Sequence, residues 1–395
     1  MSICRAIGLM SGTSLDGIDI ALVDTDGERL HGLGPTGYRP YTQAERALLR
    51  EALAAAATLS DRTARPGVLA DAERLVTDTH AEMVAAFLSD HRLAASNIDV
   101  VGFHGQTVLH RPTQKLTVQI GDGHALAARL AIPVAFDFRA ADVAAGGEGA
   151  PLVAIYHQAL ATTIDRPRPL VVVNIGGIAN VTYLADSEAP LACDTGPGNA
   201  LIDDFLHAHG GPSFDEGGML AARGQVDEAF VQRILAYPFF AARPPKSLDR
   251  NDFALASIGL PALSLEDGAA TLAALTANAI AAIVPHLPQT PACWIIAGGG
   301  ARNRAILRML AEAVAPARVE TADALGWSAD ALEAQAFAYL AVRTLNGMPI
   351  TFPTTTGVAR PMTGGIVATP DPSPSAGRAA LGASRQKRGG GRDRS

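Results

Sequence analysis

The chain has 395 residues, of which 48% are hydrophobic and 18% charged, enough apolar material for large cores and too much for a disordered protein. At roughly 150 residues per domain, two domains are expected. A formal charge of −7 argues against a global basic field for nucleic acid or anionic lipid, and the separated Cys4, Cys193 and Cys293 argue against a disulfide framework or structural zinc site and suit a reducing cytoplasm.

Met1–Met10 is apolar but contains Arg5 and has no small-residue cleavage pattern before Asp16, so it reads as a first strand, not an export signal. Ala6–Met10 and Ile18–Val23 flank the turn-rich Ser11–Gly17, which predicts a hairpin bent around a polar glycine loop. Residues 42–58 and 67–93 have helical periodicity. Residues 98–112 then read as strand, glycine loop, strand, and 116–138 as strand, turn, helix, strand, an alternation that points to an α/β architecture. The Gly/Ala-rich 139–151 has no strong periodicity and is the expected crossing between domains 1–140 and 141–370, with the Gly-rich 144–150 stretch as the candidate hinge. A second hairpin is expected where Leu170–Val173 and Val181–Leu184 bracket Asn174–Asn180, followed by a helix from Ala200. Residues 269–285 are uncharged, with Leu272, Leu275, Ala279, Ile280 and Ile283 at helical spacing, and read as a buried helix, not a membrane span. A strand Trp294–Ala297 runs into Gly298-Gly299-Gly300 and a further helix. The last 25 residues, 371–395, hold six basic and two acidic residues, the composition of a disordered, solvated tail.

The glycine loops suggest the chemistry. Close approach of backbone N–H donors to phosphate needs residues without a Cβ in the way. Gly12-Thr13-Ser14 offers such donors and two hydroxyls, and Asp16 and Asp19 could hold Mg²⁺ directly or through water; an ordinary polar hairpin turn is the plain alternative. Rival motifs fail on spacing: no lysine follows a glycine, so there is no P-loop, and Gly17 lies one residue too far from Ser14 for a nucleophile elbow. The Gly298–Gly300 turn could receive a nucleotide at a helix N-terminus, or be a turn and nothing more. In Cys193-Asp194-Thr195-Gly196-Pro197-Gly198-Asn199 an acidic residue leaves a strand through a stiff turn, so Asp194 is either a general base or a helix cap. His104, in His104-Gly105-Gln106-Thr107, could bond a sugar or simply be exposed. Arg139 could pair with a carboxylate of a ligand or of the surface. Glu333 lies in a helical stretch and reads on propensity alone as solvated.

Together, GLMSGTSLDGID (8–19), GFHGQTVLHRP (102–112), FDFRAADVAAGGEGAPLV (136–153), NIGGIANVT (174–182), CDTGPGNALID (193–203), FDEGG (214–218), PPKS (244–247) and AGGGARN (297–303) closely resemble anhydro-N-acetylmuramic acid kinases. The resemblance implies the two-domain α/β fold shared by sugar kinases, actin and the Hsp70 ATPase, with ATP in the interdomain cleft. It implies that Gly12, Thr13, Ser14, Leu15, Asp16, Gly17, Ile18 and Asp19 bind the ATP phosphates, with Gly176, Gly177, Gly298 and Gly299 completing the nucleotide site and Mg²⁺ near Asp16 and Asp19. Asp194 would be the catalytic base, and His104, Arg139 and Glu333 sugar contacts. The reaction implied uses ATP and water to open the 1,6-anhydro sugar of turned-over peptidoglycan and yields N-acetylmuramate 6-phosphate and ADP. The expected setting is cytoplasmic, with a small-molecule substrate, no nucleic-acid or membrane partner, and a second copy of the chain as the possible partner in a homodimer. Two rivals remain at this stage: a kinase of another small sugar on the same fold, and a nucleotide-driven binding protein of the actin or Hsp70 type. One departure is visible: after PPKS the family tends to read Thr-Gly-Arg-Glu, where this chain has Leu248-Asp249-Arg250-Asn251.

Overall fold

The computed structural model describes residues 2–186, 188–248 and 253–370; the expected basic tail and positions 249–251 lie outside the described residues. The first hairpin forms where the apolar runs predict it. β1 (Cys4–Met10) pairs antiparallel with β2 (Gly17–Thr25), with Met10 opposite Asp19. β2 continues into β3 (Leu30–Pro40), a strand the apolar pattern does not announce: it lies at the edge of the meander and carries His, Gly, Pro, Thr and Arg, half of them exposed.

β4 (Val100–Phe103) runs parallel to β1, and β7 (Val134–Phe136) parallel to β4. β5 (Gln106–Arg111) and β6 (Leu116–Ile120) form a separate ribbon. Three helices cover the outer face of this first sheet: α1 (Gln43–Ala56), started by a Thr42–Glu45 capping box, α2 (Val68–Asp90) and α3 (Gly123–Leu130). The 139–151 segment holds a helix of its own, α4 (Ala140–Ala144), too short to leave a periodic signal.

After α5 (Ala154–Leu160) the layout repeats. β8 (Leu170–Ile175), β9 (Ile178–Leu184) and β10 (Leu191–Pro197) form an antiparallel meander, and β11 (Cys293–Ala297) and β12 (Arg318–Thr321) add parallel to β8 and to each other. Between them come α6 (Ala200–Ala208), the short α7 (Glu228–Leu235), α8 (Pro238–Ala241) and α9 (Leu255–Ile258), and α10 (Leu265–Ala281). α11 (Arg304–Ala313) follows β11, and α12 (Leu332–Leu345), α13 (Pro353–Thr356) and β13 (Ile366–Ala368) end the described chain. Both sheets have the strand order third, second, first, fourth, fifth within their own half, and β13 extends the first sheet beyond β7. α10, by length and composition, could cross a membrane; with 72% of its apolar window buried and its residues in the core of the second half, it is a core helix, as its Ala-rich pattern predicts.

Three cores stack across the molecule. Alternate residues of each strand face opposite sides: Ile7 and Leu9 join the core under α1 and α2, while Ala6 faces the other way. Val171, Val173 and Ile175 likewise face α6 and α10, while Leu170 and Val172 face the first sheet. The middle core is filled by α5 and α12, which lie between the two sheets. α12 comes from the second half of the chain but rests its backbone on β1 and β4: a Cβ on Gly8 would lie 1.8 Å from the Ala334 carbonyl oxygen, and one on Gly102 2.1 Å from that of Phe337. These glycines set the depth at which α12, and with it Glu333, is seated.

Candidate active site

The pleat decides which polar groups meet. Asn174 pairs with Asn180 and Asn180 with Asp194, so the three side chains form a row across β8, β9 and β10. Asn174 shares its face with Leu170 and Val172, so the row looks toward the first sheet, while Cys193 points into the opposite core. On the first sheet, Asp19 pairs with Met10 and shares a face with Gly8, the face covered by α12. The two rows therefore look at each other past the first turn of α12, where Glu333 accepts a hydrogen bond from Asn174 Nδ2 at 3.3 Å. The helix that reads as solvated carries this glutamate into the middle of the molecule, where burial raises its pKa, with Arg139 opposing that shift.

The Ser11–Gly17 turn is anchored by Leu15, which is buried and takes a left-handed conformation at φ 56°, so Thr13, Ser14 and Asp16 are left exposed. Ser14 Oγ donates to Asp16 at 2.8 Å, as does the Gly17 N–H at 3.0 Å. From the other side Ser11 Oγ donates to the Gly105 carbonyl and Gln106 Nε2 to the Gly12 carbonyl. His104 Nδ1 donates to the Ser11 carbonyl at 3.1 Å, and its Nε2 accepts from Arg139 at 3.2 Å. That arrangement keeps the ring neutral, with its pKa pushed down to about 3 by burial and by Arg139. With both nitrogens committed, His104 holds the turn and orients Arg139, whose other arm donates to the Gly149 carbonyl at 2.7 Å.

In the second half three bends converge. Gly198 N–H donates to the Gly177 carbonyl and Asn199 N–H to that of Gly176, while Asn199 Nδ2 donates to Ile175. Gly298, at φ 77°, would bring a Cβ to 2.3 Å from Asn174 Oδ1, so packing within the protein demands it. Gly12, Gly176, Gly177 and Gly299 differ: the nearest atom to a Cβ there is 3.4 to 3.6 Å away. A Cβ there would make only ordinary contacts, so packing within the protein does not demand glycine at these positions, and their backbone could be approached by a phosphate chain. Gln106 Oε1 and Asn180 Oδ1 are buried without partners, further polar capacity for a ligand. The start of α11, in contrast, is already capped by Asn303, which accepts from Ala305 and Ile306, so the turn after β11 does not open onto free helix donors.

Negative charge from both halves gathers around Asp19. Burial, and then Asp16, Glu333 and Asp330, push Asp19 up to about 7. Among the described residues no three metal-ligating side chains cluster. Mg²⁺ commonly uses one or two carboxylates plus phosphate oxygens, so Asp16 and Asp19 fit it together with a nucleotide.

Asp194 does not leave its strand as the sequence suggested. β10 continues through Pro197 past a bulge after Asp194, which an edge strand tolerates because the N–H that proline lacks has no ladder partner to lose. The outer edge of β10 meets the segment after α8: Asp194 N–H donates to the Lys246 carbonyl at 3.0 Å and Leu248 N–H to Asp194 Oδ2 at 2.8 Å. Enclosure, with Glu148 adding to it, raises the Asp194 pKa to about 7 against the opposing pull of the Leu248 N–H and Lys246. Sequence reasoning passed over Glu148 and gave no role to Ser247; the signal available was a lone carboxylate in an otherwise Gly/Ala stretch and the quoted PPKS run. It also passed over Asn174 and Asn199, whose roles depend on strand register.

A family model described as anhydro-N-acetylmuramic acid kinase matches residues 4–370. Among curated proteins, the chain is 64% identical over 365 residues to an anhydro-N-acetylmuramic acid kinase of Rhodopseudomonas palustris strain BisB18, covering 92% of this chain and 100% of that one. It is 59% identical over 367 residues to the protein of that name from Bradyrhizobium diazoefficiens, covering 92% and 99%. Among solved structures it is similar to component A of (R)-2-hydroxyglutaryl-CoA dehydratase from Acidaminococcus fermentans at 11% identity and TM-score 0.46, covering 87% and 99%, a distant likeness that adds nothing to the strand order above. The two like-ordered sheets agree with the α/β architecture that the family resemblance implies. With the family match spanning nearly the whole chain and identities this high, the chain belongs to the anhydro-N-acetylmuramic acid kinase family.

Proposed function

We infer that this protein is an ATP-dependent kinase that opens the 1,6-anhydro ring of anhydro-N-acetylmuramic acid with water and phosphorylates O6, giving N-acetylmuramate 6-phosphate and ADP in cell-wall recycling. The observation that carries the chemical reading is the pair of facing rows, with Asp194 on one sheet and Asp19 on the other. The anhydro bridge ties C1 to O6, so the sugar has no free O6 hydroxyl to attack ATP. Asp194 takes a proton from the water that attacks C1. The C1–O6 bond breaks, and O6 captures the γ-phosphoryl of ATP as ADP leaves. ATP thus stands where an ordinary inverting glycosidase has a second carboxyl group to protonate the leaving oxygen, so one essential carboxylate and inversion at C1 are expected.

In this reading the Gly12–Asp19 turn and the bare bends at Gly176, Gly177 and Gly299 hold the nucleotide, with Gly298 shaping the last bend. Asp16 and Asp19 hold Mg²⁺, which when bound steadies the developing phosphate charge. Arg139 and Glu333 contact the sugar, and His104 keeps Arg139 and the Ser11 carbonyl in place. Domains of 1–140 and 141–370, hinged at the Gly-rich 144–150 stretch, close on the substrates. A cytoplasmic setting and a homodimer belong to the same proposal. A kinase for another sugar and an actin-like binding protein are not favoured, since relatives spanning the whole described chain carry one name. The test is mass detection of the product formed from 1,6-anhydro-N-acetylmuramate, ATP and oxygen-18 water. Label at C1 of a phosphorylated sugar is expected; phosphorylation without label at C1 would overturn the mechanism.

A further inference from the structure

Glu148 sits in the loop after α4, with its backbone held by β5 of the first half and by α13 of the second. Its carbonyl accepts from His110 Nε2 on β5 at 2.9 Å, its N–H donates to Thr356, and the next carbonyl, Gly149, accepts from Arg139. Its side chain reaches across to the second half, where Ser247 Oγ donates to Glu148 Oε2 at 2.6 Å. Ser247 is the middle residue of the segment whose two neighbours make the backbone bonds to Asp194, through the Lys246 carbonyl and the Leu248 N–H. Lys246 secures the same segment from behind, with its ammonium donating to the Phe239 carbonyl at 2.8 Å and lying over the Phe239 ring.

We propose that Glu148 is a positioning residue for Asp194: by gripping Ser247 it holds the 246–248 segment that aims the base, and it ties that aim to the loop joining the two halves. The proposal rests on the reading of Asp194 as the base and deepens it. The bonds of Glu148 run to protein groups of both halves, so a change in the angle between the halves would be felt at Asp194 through this one side chain. Among the described residues, the charged groups that face Asp194 are Glu148 and Lys246, one opposing ionisation and the other favouring it, while the neighbouring Cys193 thiol is buried on the opposite face and held neutral.

The test uses the full chain with ATP and anhydro sugar, comparing Glu148→Ala, Glu148→Gln, Ser247→Ala and Asp194→Asn across pH. Glu148→Ala and Ser247→Ala should each lower kcat about 10- to 100-fold, the scale of a misaimed catalytic group, with KM for ATP within about twofold. Glu148→Gln keeps an oxygen for Ser247 and loses the charge. It should recover most of the turnover that Glu148→Ala loses and move the acid limb of the kcat profile to lower pH, since one opposing charge is gone. Ser247→Ala keeps the charge and should leave that limb in place. The proposal is overturned if Glu148→Ala and Ser247→Ala both retain kcat, or if Glu148→Gln leaves the limb unmoved. Should Glu148→Ala not fold, Ser247→Ala and Glu148→Gln decide the matter. Turnover surviving in Asp194→Asn would instead remove the base itself, an outcome distinct from silent Glu148 variants beside an inactive Asp194→Asn.

Discussion

The two hairpins share one backbone plan and carry opposite chemistry. The β1–β2 hairpin bends through an exposed, acidic turn with Asp16 and Asp19, and it is braced from outside by His104, Gly105 and Gln106. The β8–β9 hairpin bends through Gly176 and Gly177, carries only the neutral Asn174 and Asn180 at its tip, and is braced by Gly198 and Asn199 in the turn after β10. The difference suggests a division of labour: the first hairpin carries negative charge that a cation would satisfy, while the second carries neutral amides and, one strand further on, the proposed base. Two like-ordered sheets face one another across α5 and α12, and substitutions at equivalent bends set what each side offers.

The sharpest way to break this comparison is at Asp194. Asp194→Asn should keep nucleotide affinity and lose about 10³-fold or more in kcat, the upper part of the general-base range with lost positioning added. Single-turnover assays alongside ATP binding would show it, and near-normal turnover would move the base elsewhere. The next largest effect is in pH. Burial pushes Asp194 up to about 7, and the proposed base would act only as the carboxylate, so kcat should fall about tenfold per unit as pH drops below about 7. A flat profile from pH 5 to 8 would contradict this.

The two kinds of glycine give a finer contrast. Gly12→Ala meets no protein atom closer than 3.4 Å, so its melting temperature should stay near that of the parent while KM for ATP rises about tenfold, or ~1.4 kcal/mol. Gly298→Ala should do the reverse in order of cause: its positive φ and a Cβ 2.3 Å from Asn174 Oδ1 cost about 1–3 kcal/mol, seen first as a lower melting temperature. Calorimetry and ATP titration of both variants separate the cradle from the packing. The smallest effect is again at Asp194. A carboxylate whose pKa is higher folded than unfolded favours the native state below about pH 4 and loses that advantage as pH rises through about 7. Asp194→Asn should therefore gain roughly 1–3 kcal/mol over the parent at pH 8 and less at pH 5, a few degrees of melting temperature. An equal gain at both pH values would assign the effect to packing alone.

Much of this was legible beforehand because it is local. Apolar runs around Ser11–Gly17 and Asn174–Asn180, and helical spacing in 42–58, 67–93 and 269–285, name elements whose signals lie within one segment. β3 and β13 escaped because edge strands with an exposed face need little apolar patterning, and α4 because it is barely more than one turn.

The sequence by itself determined the α/β alternation, the two glycine hairpins and the family, since hydrophobic period, turn chemistry and collinear motifs are properties of neighbouring residues. Only the tertiary structure decided that Asn174, Asn180 and Asp194 stand in one row, that Glu333 comes to the centre and not to solvent, that His104 spends both nitrogens on the protein, and that Glu148 reaches Ser247. Each of those follows from strand register, from the depth at which α12 lies on Gly8 and Gly102, or from contacts between segments distant in the chain, and a one-residue shift in register would turn Asn174, Asn180 and Asp194 to the other face.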